Sequence, residues 1–114
     1  MICIWLIKKK KLKNHTKVYM DFFDYGEQSF VMCEFCQQDR AVDIHHLESR
    51  GMGGSKNKDY IENLMGLCRD CHNKAEADSM FNMFCKIKHL ELVCHQIYAM
   101  IEYNKTMKRY ENRK

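Results

Sequence analysis

Two cysteine pairs, Cys33 with Cys36 and Cys68 with Cys71, constrain this chain more than any other feature. Two intervening residues let both sulfurs of a pair point at one centre, and two such pairs can enclose a zinc ion tetrahedrally with thiolate ligands. Segments distant in sequence are then tied together. A closed four-sulfur site leaves no open coordination position, so its task is structural. Zinc at such a site can supply roughly 10 to 16 kcal/mol, against a net stability of about 5 to 15 kcal/mol for a typical domain. A redox dithiol needs only one pair, and chance buried cysteines need no spacing at all; the doubled pattern favours metal.

The length of 114 residues fits one domain, and a chain of this size gains from outside help because it buries a smaller share of its surface than a large protein. Met1 to Ile7 is apolar and the lysines Lys8 to Lys11 follow it, the reverse of a secretory signal. Seven apolar residues are also far short of the roughly 20 that span a bilayer. The expectation is a cytoplasmic protein without a membrane partner, in a reducing compartment where paired cysteines mean metal rather than disulfides. Cys3, Cys85 and Cys94 are left over.

Charge is distributed unevenly. The net charge of +4 is mild, but Lys8, Lys9, Lys10, Lys11, Lys13 and Lys17 crowd one end, and Lys105, Lys108, Arg109, Arg113 and Lys114 the other. Between them the acids outnumber the bases, so general attraction to a polyanion is expected from the ends, unless these are simply solvated tails.

Residues 14 to 25 carry Val18, Tyr19, Phe22 and Phe23 at helical spacing, with Gly26 placed to end a helix. Ser29 to Cys33 and Ala41 to Leu47 read as strands, and Ile61 to Cys68 as a strand or extended segment. Gly51, Gly53 and Gly54 mark a loop between them. Asp70 is a candidate N-cap for a helix running to about Ala77, and Asp78 and Ser79 for a second helix over 79–103. On that second helix Met80, Phe84, Ile87, Leu90, Cys94, Ile97 and Ile101 recur every three or four residues as an apolar stripe, with Cys94 expected in core packing. The stripe needs cover, either from the helix carrying Val18 to Phe23 or from a second copy across a two-fold axis; a homodimer through this helix is the favoured expectation.

Between the cysteine pairs stand Asp43-Ile44-His45-His46, the glycine loop, and Glu62-Asn63-Leu64-Met65, and His72 directly follows Cys71. In this order the segment from Cys33 to about Glu76 resembles the HNH endonuclease family, whose ββα-metal motif combines these elements. The resemblance implies an α+β fold: a zinc-stabilised ββα-metal core over 30–77, flanked by an N-terminal helix and a long C-terminal helix, within a single nuclease domain whose basic tails cover 1–17 and 104–114. The flanking helices and the basic tails come from the spacing and charge read above, since the resemblance stops at about Glu76; what it implies further is hydrolysis of DNA phosphodiester bonds. That chemistry needs an activated water and stabilisation of charge on the phosphate and leaving oxygen, for which an imidazole and a divalent metal are suited.

By the resemblance, His45 takes the position of the first catalytic metal ligand, His46 that of the general base, and His72 that of a further ligand. Adjacent strand residues point oppositely, which fits two separate roles for His45 and His46. Asn63 matches the family's asparagine, which in some members binds metal and in others holds the histidine-bearing strand. Glu76 stands one turn after His72, where a number of members carry histidine; a carboxylate there would suit Mg²⁺ or Mn²⁺, and it can equally be a surface glutamate near a helix start. Arg50, in the glycine loop, is a candidate phosphate clamp. That loop lacks the Gly-Lys-Ser/Thr order of a nucleotide-binding P-loop. His15, His89 and His95 lie outside the motif and read as structural. The competing functions are a non-catalytic zinc-stabilised nucleic-acid-binding module and an accessory protein of phage packaging or recombination. A pure binder has no need of a general base, so the set His45, His46, Asn63 and His72 favours the enzyme.

Overall fold

A computed structural model describes residues 13–26, 29–49, 51 and 56–113. The order of elements is helix α1 (Asn14–Phe22), strand β1 (Asp43–His46), two 3₁₀ turns (Lys56–Lys58 and Ile61–Asn63), strand β2 (Leu64–Leu67), helix α2 (Arg69–Ala77) and helix α3 (Ser79–Asn112). The two strands pair antiparallel, with Asp43 opposite Leu67 and His46 opposite Leu64. This is the expected α+β arrangement, with the cysteine cluster beside the ββα segment and a long helix at its C-terminal side.

The core is built around sulfur. Cys33, Cys68, Cys71 and Cys85 are buried with Leu47, Met65, Leu67 and Ala75, and Phe35, Cys36 and Phe81 pack against them. Strand β2 is buried throughout, whereas β1 buries only His45. A strand covered on both sides reads as a continuous apolar run, which is why Leu64 to Leu67 shows no alternation.

A polar knot fastens α1 and α3 to this core. The Tyr19 hydroxyl donates to Glu34 Oε2, which also accepts from the backbone N–H of Gly66 at 3.2 Å. Glu34 Oε1 bonds His89 Nδ1 at 2.7 Å, and His89 Nε2 donates to the carbonyl of Ile61 at 2.6 Å. Tyr19 and His89 are fully enclosed, and the polar groups are mutually satisfied, as buried polar groups must be. Burial and the neighbouring carboxylate push the Tyr19 phenol well above its ordinary range. Glycine is required at position 66 because a Cβ there would lie 2.9 Å from the Tyr19 hydroxyl.

Several local expectations are corrected. Ser29 to Cys33 forms no strand; the chain makes a single bridge, Met32 to Arg40, and turns back at once, with the N–H of Cys33 bonded to the carbonyl of Asp39 at 2.9 Å. The tight knuckle that aims Cys33 and Cys36 inward leaves no room for a longer ladder. Helix α1 ends at Phe22 rather than at Gly26: Asp24 adopts φ 58° and the Tyr25 N–H closes on the carbonyl of Met20 at 2.8 Å. Asp70 lies inside the first turn of α2, whose N-cap is Cys68. Asp78 does cap α3, accepting from the N–H groups of Met80 and Phe81.

Helix α3 also differs in length and in the face it buries. It continues nine residues past the expected end at 103, since no glycine or proline follows Gly66 and Glu102 pairs with Lys105 on the surface. The buried residues are Cys85, His89 and Val93, not the expected stripe; Met80, Phe84, Ile87, Ile97 and Ile101 are exposed, and so is Cys94. The polar knot at His89 sets the rotation of the helix, so the apolar stripe faces away. Among the described residues no helix is long and apolar enough to cross a membrane, and the described cysteines are all free thiols.

Candidate metal centre and histidine cleft

The four cysteine sulfurs of Cys33, Cys36, Cys68 and Cys71 lie within 4.8 Å of one another. Cys36 Sγ and Cys68 Sγ are 3.9 Å apart; two sulfurs on a tetrahedral zinc, each at about 2.3 Å, would be about 3.8 Å apart. The donors therefore fit zinc. The knuckle after Cys36 needs Gln37 at φ 54°, which turns backbone N–H groups inward. N–H groups of Gln38 and Asp39 hold the Cys36 thiol down to about 7. Burial raises the thiols of Cys68 and Cys71 in turn. Four thiols crowded together, three of them buried, are costly as neighbouring anions, and a bound cation removes that cost.

The histidines separate onto two sides of β1. On one side His45, His72 and Glu76 each bring a ligand atom within 4.8 Å of the others. On the other, His46 Nε2 meets Asp59 Oδ1 at 2.8 Å, and the ring of His15 packs edge-on against His46 with centroids 4.9 Å apart. Both His45 and His46, with His72, Glu76 and Asn82, line one cleft of about 580 Å³.

The two histidine candidates, His72 and His45, each have a partner that orients the ring. His72 Nδ1 bonds Asp43 Oδ2 at 2.8 Å, and Arg69 Nη1 lies 3.0 Å from the same oxygen. With Nδ1 donating to a carboxylate, Nε2 keeps its lone pair, and it faces Glu76 Oε2 at 3.5 Å. Two acceptors so placed favour a cation between them, the arrangement of a carboxylate–histidine–metal triad. His45 Nε2 meets Asn82 Oδ1 at 2.7 Å while Asn82 Nδ2 donates to the carbonyl of Leu47 at 2.9 Å. The second bond fixes the orientation of the amide, so His45 carries its proton on Nε2 and Nδ1 holds the free lone pair. Burial lowers the pKa of His45, which favours the neutral form that metal ligation requires. The mixed nitrogen and oxygen donors suit a divalent cation.

Asn63 is buried and fully engaged. Its Oδ1 accepts from the N–H of Glu48 at 2.6 Å, and its Nδ2 donates to the carbonyls of Glu48 at 3.1 Å and Lys58 at 2.9 Å. Its own carbonyl accepts from the N–H of Leu47 at 2.9 Å. These bonds clamp the chain leaving β1. Arg50 lies outside the described residues.

Sequence reasoning missed Asp43 as the partner of His72, Asp59 and His15 around His46, and Asn82 beside His45. Asp43 sits two residues before His45 on the same strand face, a signal that spacing alone could have given. The other three come from distant segments, and nothing in their spacing marks them.

Residues 33–78 match the family model described as HNH endonuclease. No curated protein and no solved structure matches the chain. The match runs from the first cysteine of the cluster to the cap of α3 and takes in both strands and the histidines His45, His46 and His72. The segment from Cys33 to Asp78, under half of the chain, is thus similar to the HNH endonuclease family model.

Proposed function

We propose that the chain is a metal-dependent endonuclease that hydrolyses DNA phosphodiester bonds, with Cys33, Cys36, Cys68 and Cys71 holding a structural zinc. The observation that carries this reading is the division at β1: a three-donor cluster of His45, His72 and Glu76 on one side, and His46 held by a buried carboxylate on the other. A structural zinc alone would need neither.

His45, His72 and Glu76 would hold the catalytic divalent metal, Mg²⁺ or Mn²⁺ being best matched to a set that includes a carboxylate. When bound, such an ion stabilises negative charge on the phosphate and on the leaving oxygen. His46 acts as general base. Asp59, whose side chain is fully buried, accepts from Nε2 and holds the proton there, which leaves the Nδ1 lone pair to take a proton from the attacking water. Asp59 is a positioning residue in this scheme, as is Asn14, whose Nδ2 donates to Asp59 Oδ2 at 3.1 Å. Asp43 and Asn82 position His72 and His45. Asn63 holds the chain beyond the histidine strand rather than binding metal, because its amide is already committed to the backbone of Glu48 and Lys58. Arg50 is a phosphate clamp by its place in the loop.

The basic residues Lys13 and Lys17 near α1 and Lys105, Lys108, Arg109 and Arg113 at the end of α3 supply attraction to the DNA backbone. All of this belongs to one nuclease domain, working in a reducing compartment where the cysteines stay available to zinc.

Incubation of the purified protein with plasmid and with single-stranded DNA, across Mg²⁺, Mn²⁺, Ni²⁺ and EDTA, tests the reading. Cleavage with a divalent ion, stopped by EDTA and absent in His46→Ala, is expected. DNA binding with no cleavage under any metal would leave a zinc-stabilised binding module instead.

A further inference from the structure

The exposed face of α3 repeats with a period of seven. Met80, Ile87, Cys94 and Ile101 stand seven apart, and Met83, Leu90 and Ile97 stand between them at the complementary positions. An apolar residue at both positions over three successive heptads is the pattern of a coiled-coil seam. Cys85 and His89 face the core on the far side of the helix, and buried Val93 borders the seam between Leu90 and Ile97. Met80 is 56% exposed, Ile87 51%, Ile97 44% and Ile101 48%, and only Leu90 is half-buried. A single amphipathic helix packed on its own domain has no need of a second apolar stripe on its far side.

We propose that a second copy of this chain covers the seam, the two α3 helices forming a parallel two-stranded coiled coil. The seam runs 22 residues from Met80 to Ile101, about 33 Å at 1.5 Å per residue. With Phe84 and Tyr98 at its flank, it offers on the order of 700 Å² of exposed surface per copy, close to the roughly 800 Å² that each partner of a stable complex contributes. Ile87 followed by Leu90 is the pairing that favours two strands, while Ile97 at the second position does not select between two strands and more, so the dimer rests on area and charge. Charge selects the direction. In the parallel pairing Lys86 of each copy faces the partner's Glu91, whereas the antiparallel register that overlaps the seam most fully sets Glu91 against Glu91. Beyond Ile101 the seam positions become Asn104 and Lys108, so the pairing ends there and the basic helix ends diverge.

Cys94 supplies the test. In the parallel seam the two Cys94 residues stand at one level and are close enough to bridge; in the antiparallel register Cys94 faces Leu90 instead, offset by about 6 Å along an axis already 8 to 10 Å from its neighbour, beyond disulfide reach. Zinc-loaded protein in a Cys3→Ser background is sized by sedimentation equilibrium and then mildly oxidised. A dimer in solution and a covalent dimer that disappears with Cys94→Ser are expected. The double variant Ile87→Glu, Ile97→Glu should sediment as a monomer with unchanged zinc content and helicity, its dimer dissociation constant raised at least ~100-fold, as expected when charges replace two seam residues in each chain. A monomer of the parent chain at about 100 µM overturns the proposal and leaves the seam to the apolar segment Met1–Ile7 of the same chain. A dimer that survives the double variant, or that forms no Cys94 bridge, overturns it as well. None of these readouts depends on nuclease activity.

Discussion

The cysteine cluster and the histidine cleft meet at helix α2, which carries Cys71 and His72 side by side, yet they are built by opposite means. The cysteines are four donors of one kind, three of them buried, with each pair supplied by one short stretch of chain. Of the histidines, His45 is buried and His46 and His72 are partly exposed; they differ in partner, and depend on side chains from α1, the loop before β2 and α3. One site holds the fold together; the other is held by the fold. Damage to the first should therefore appear as loss of structure, and damage to the second as loss of chemistry in an intact protein.

The largest expected effect lies on the cysteine side. Cys68→Ser, or exhaustive chelation of zinc, removes a contribution of roughly 10 kcal/mol or more, comparable to the whole stability of a small domain. Loss of helical circular dichroism and of cooperative melting is expected. A folded, zinc-free variant would mean that the sulfur-rich core stands by packing alone.

On the cleft side, His46→Ala should lower the cleavage rate by roughly two to four orders of magnitude, the range for a general base, with melting temperature and zinc content nearly unchanged. Asp59→Asn should cost less, about tenfold, because Nε2 of His46 loses the buried carboxylate that orients the ring. An unchanged cleavage rate in that variant would remove Asp59 from that role.

Metal affinity gives a finer division. His72→Ala should weaken Mn²⁺ binding, followed by calorimetry, more than Asp43→Asn or Asn82→Ala, each of which acts on a ligand rather than as one and should cost roughly 10- to 100-fold. Equal affinities in His72→Ala and the parent would exclude His72 as a ligand. The smallest effect is expected at the basic helix end. Removal of residues 105–114 should weaken binding to all DNA sequences alike and flatten the dependence of log affinity on log salt by about 0.9 for each phosphate that is no longer neutralised, with the catalytic step unchanged.

The two regions also differ in how legible they are. Cys33, Cys36, Cys68 and Cys71 announce themselves by spacing, because a pair two residues apart can reach one metal wherever it is placed. His45, His46 and His72 are readable through their order and through the alternation of a strand, which sends neighbouring side chains to opposite faces. Asp59, His15 and Asn82 are not, since each reaches its histidine from a segment 13 to 37 residues away and has no pattern of its own.

The long helix marks the same boundary. Its existence follows from the sequence alone: Asp78 caps it, and neither glycine nor proline occurs anywhere along its length. Which face it buries does not. Hydrophobic periodicity points to Met80, Ile87, Cys94 and Ile101, but the buried bonds of His89 to Glu34 and to Ile61 turn the other face inward. Local chemistry determined the metal knuckles, the strands and the helices, because spacing, caps and turns act over a few residues. Tertiary structure decided the rotation of α3 and the partners of each histidine, because a buried polar group must find its hydrogen bonds, and those partners are brought together only when distant segments pack.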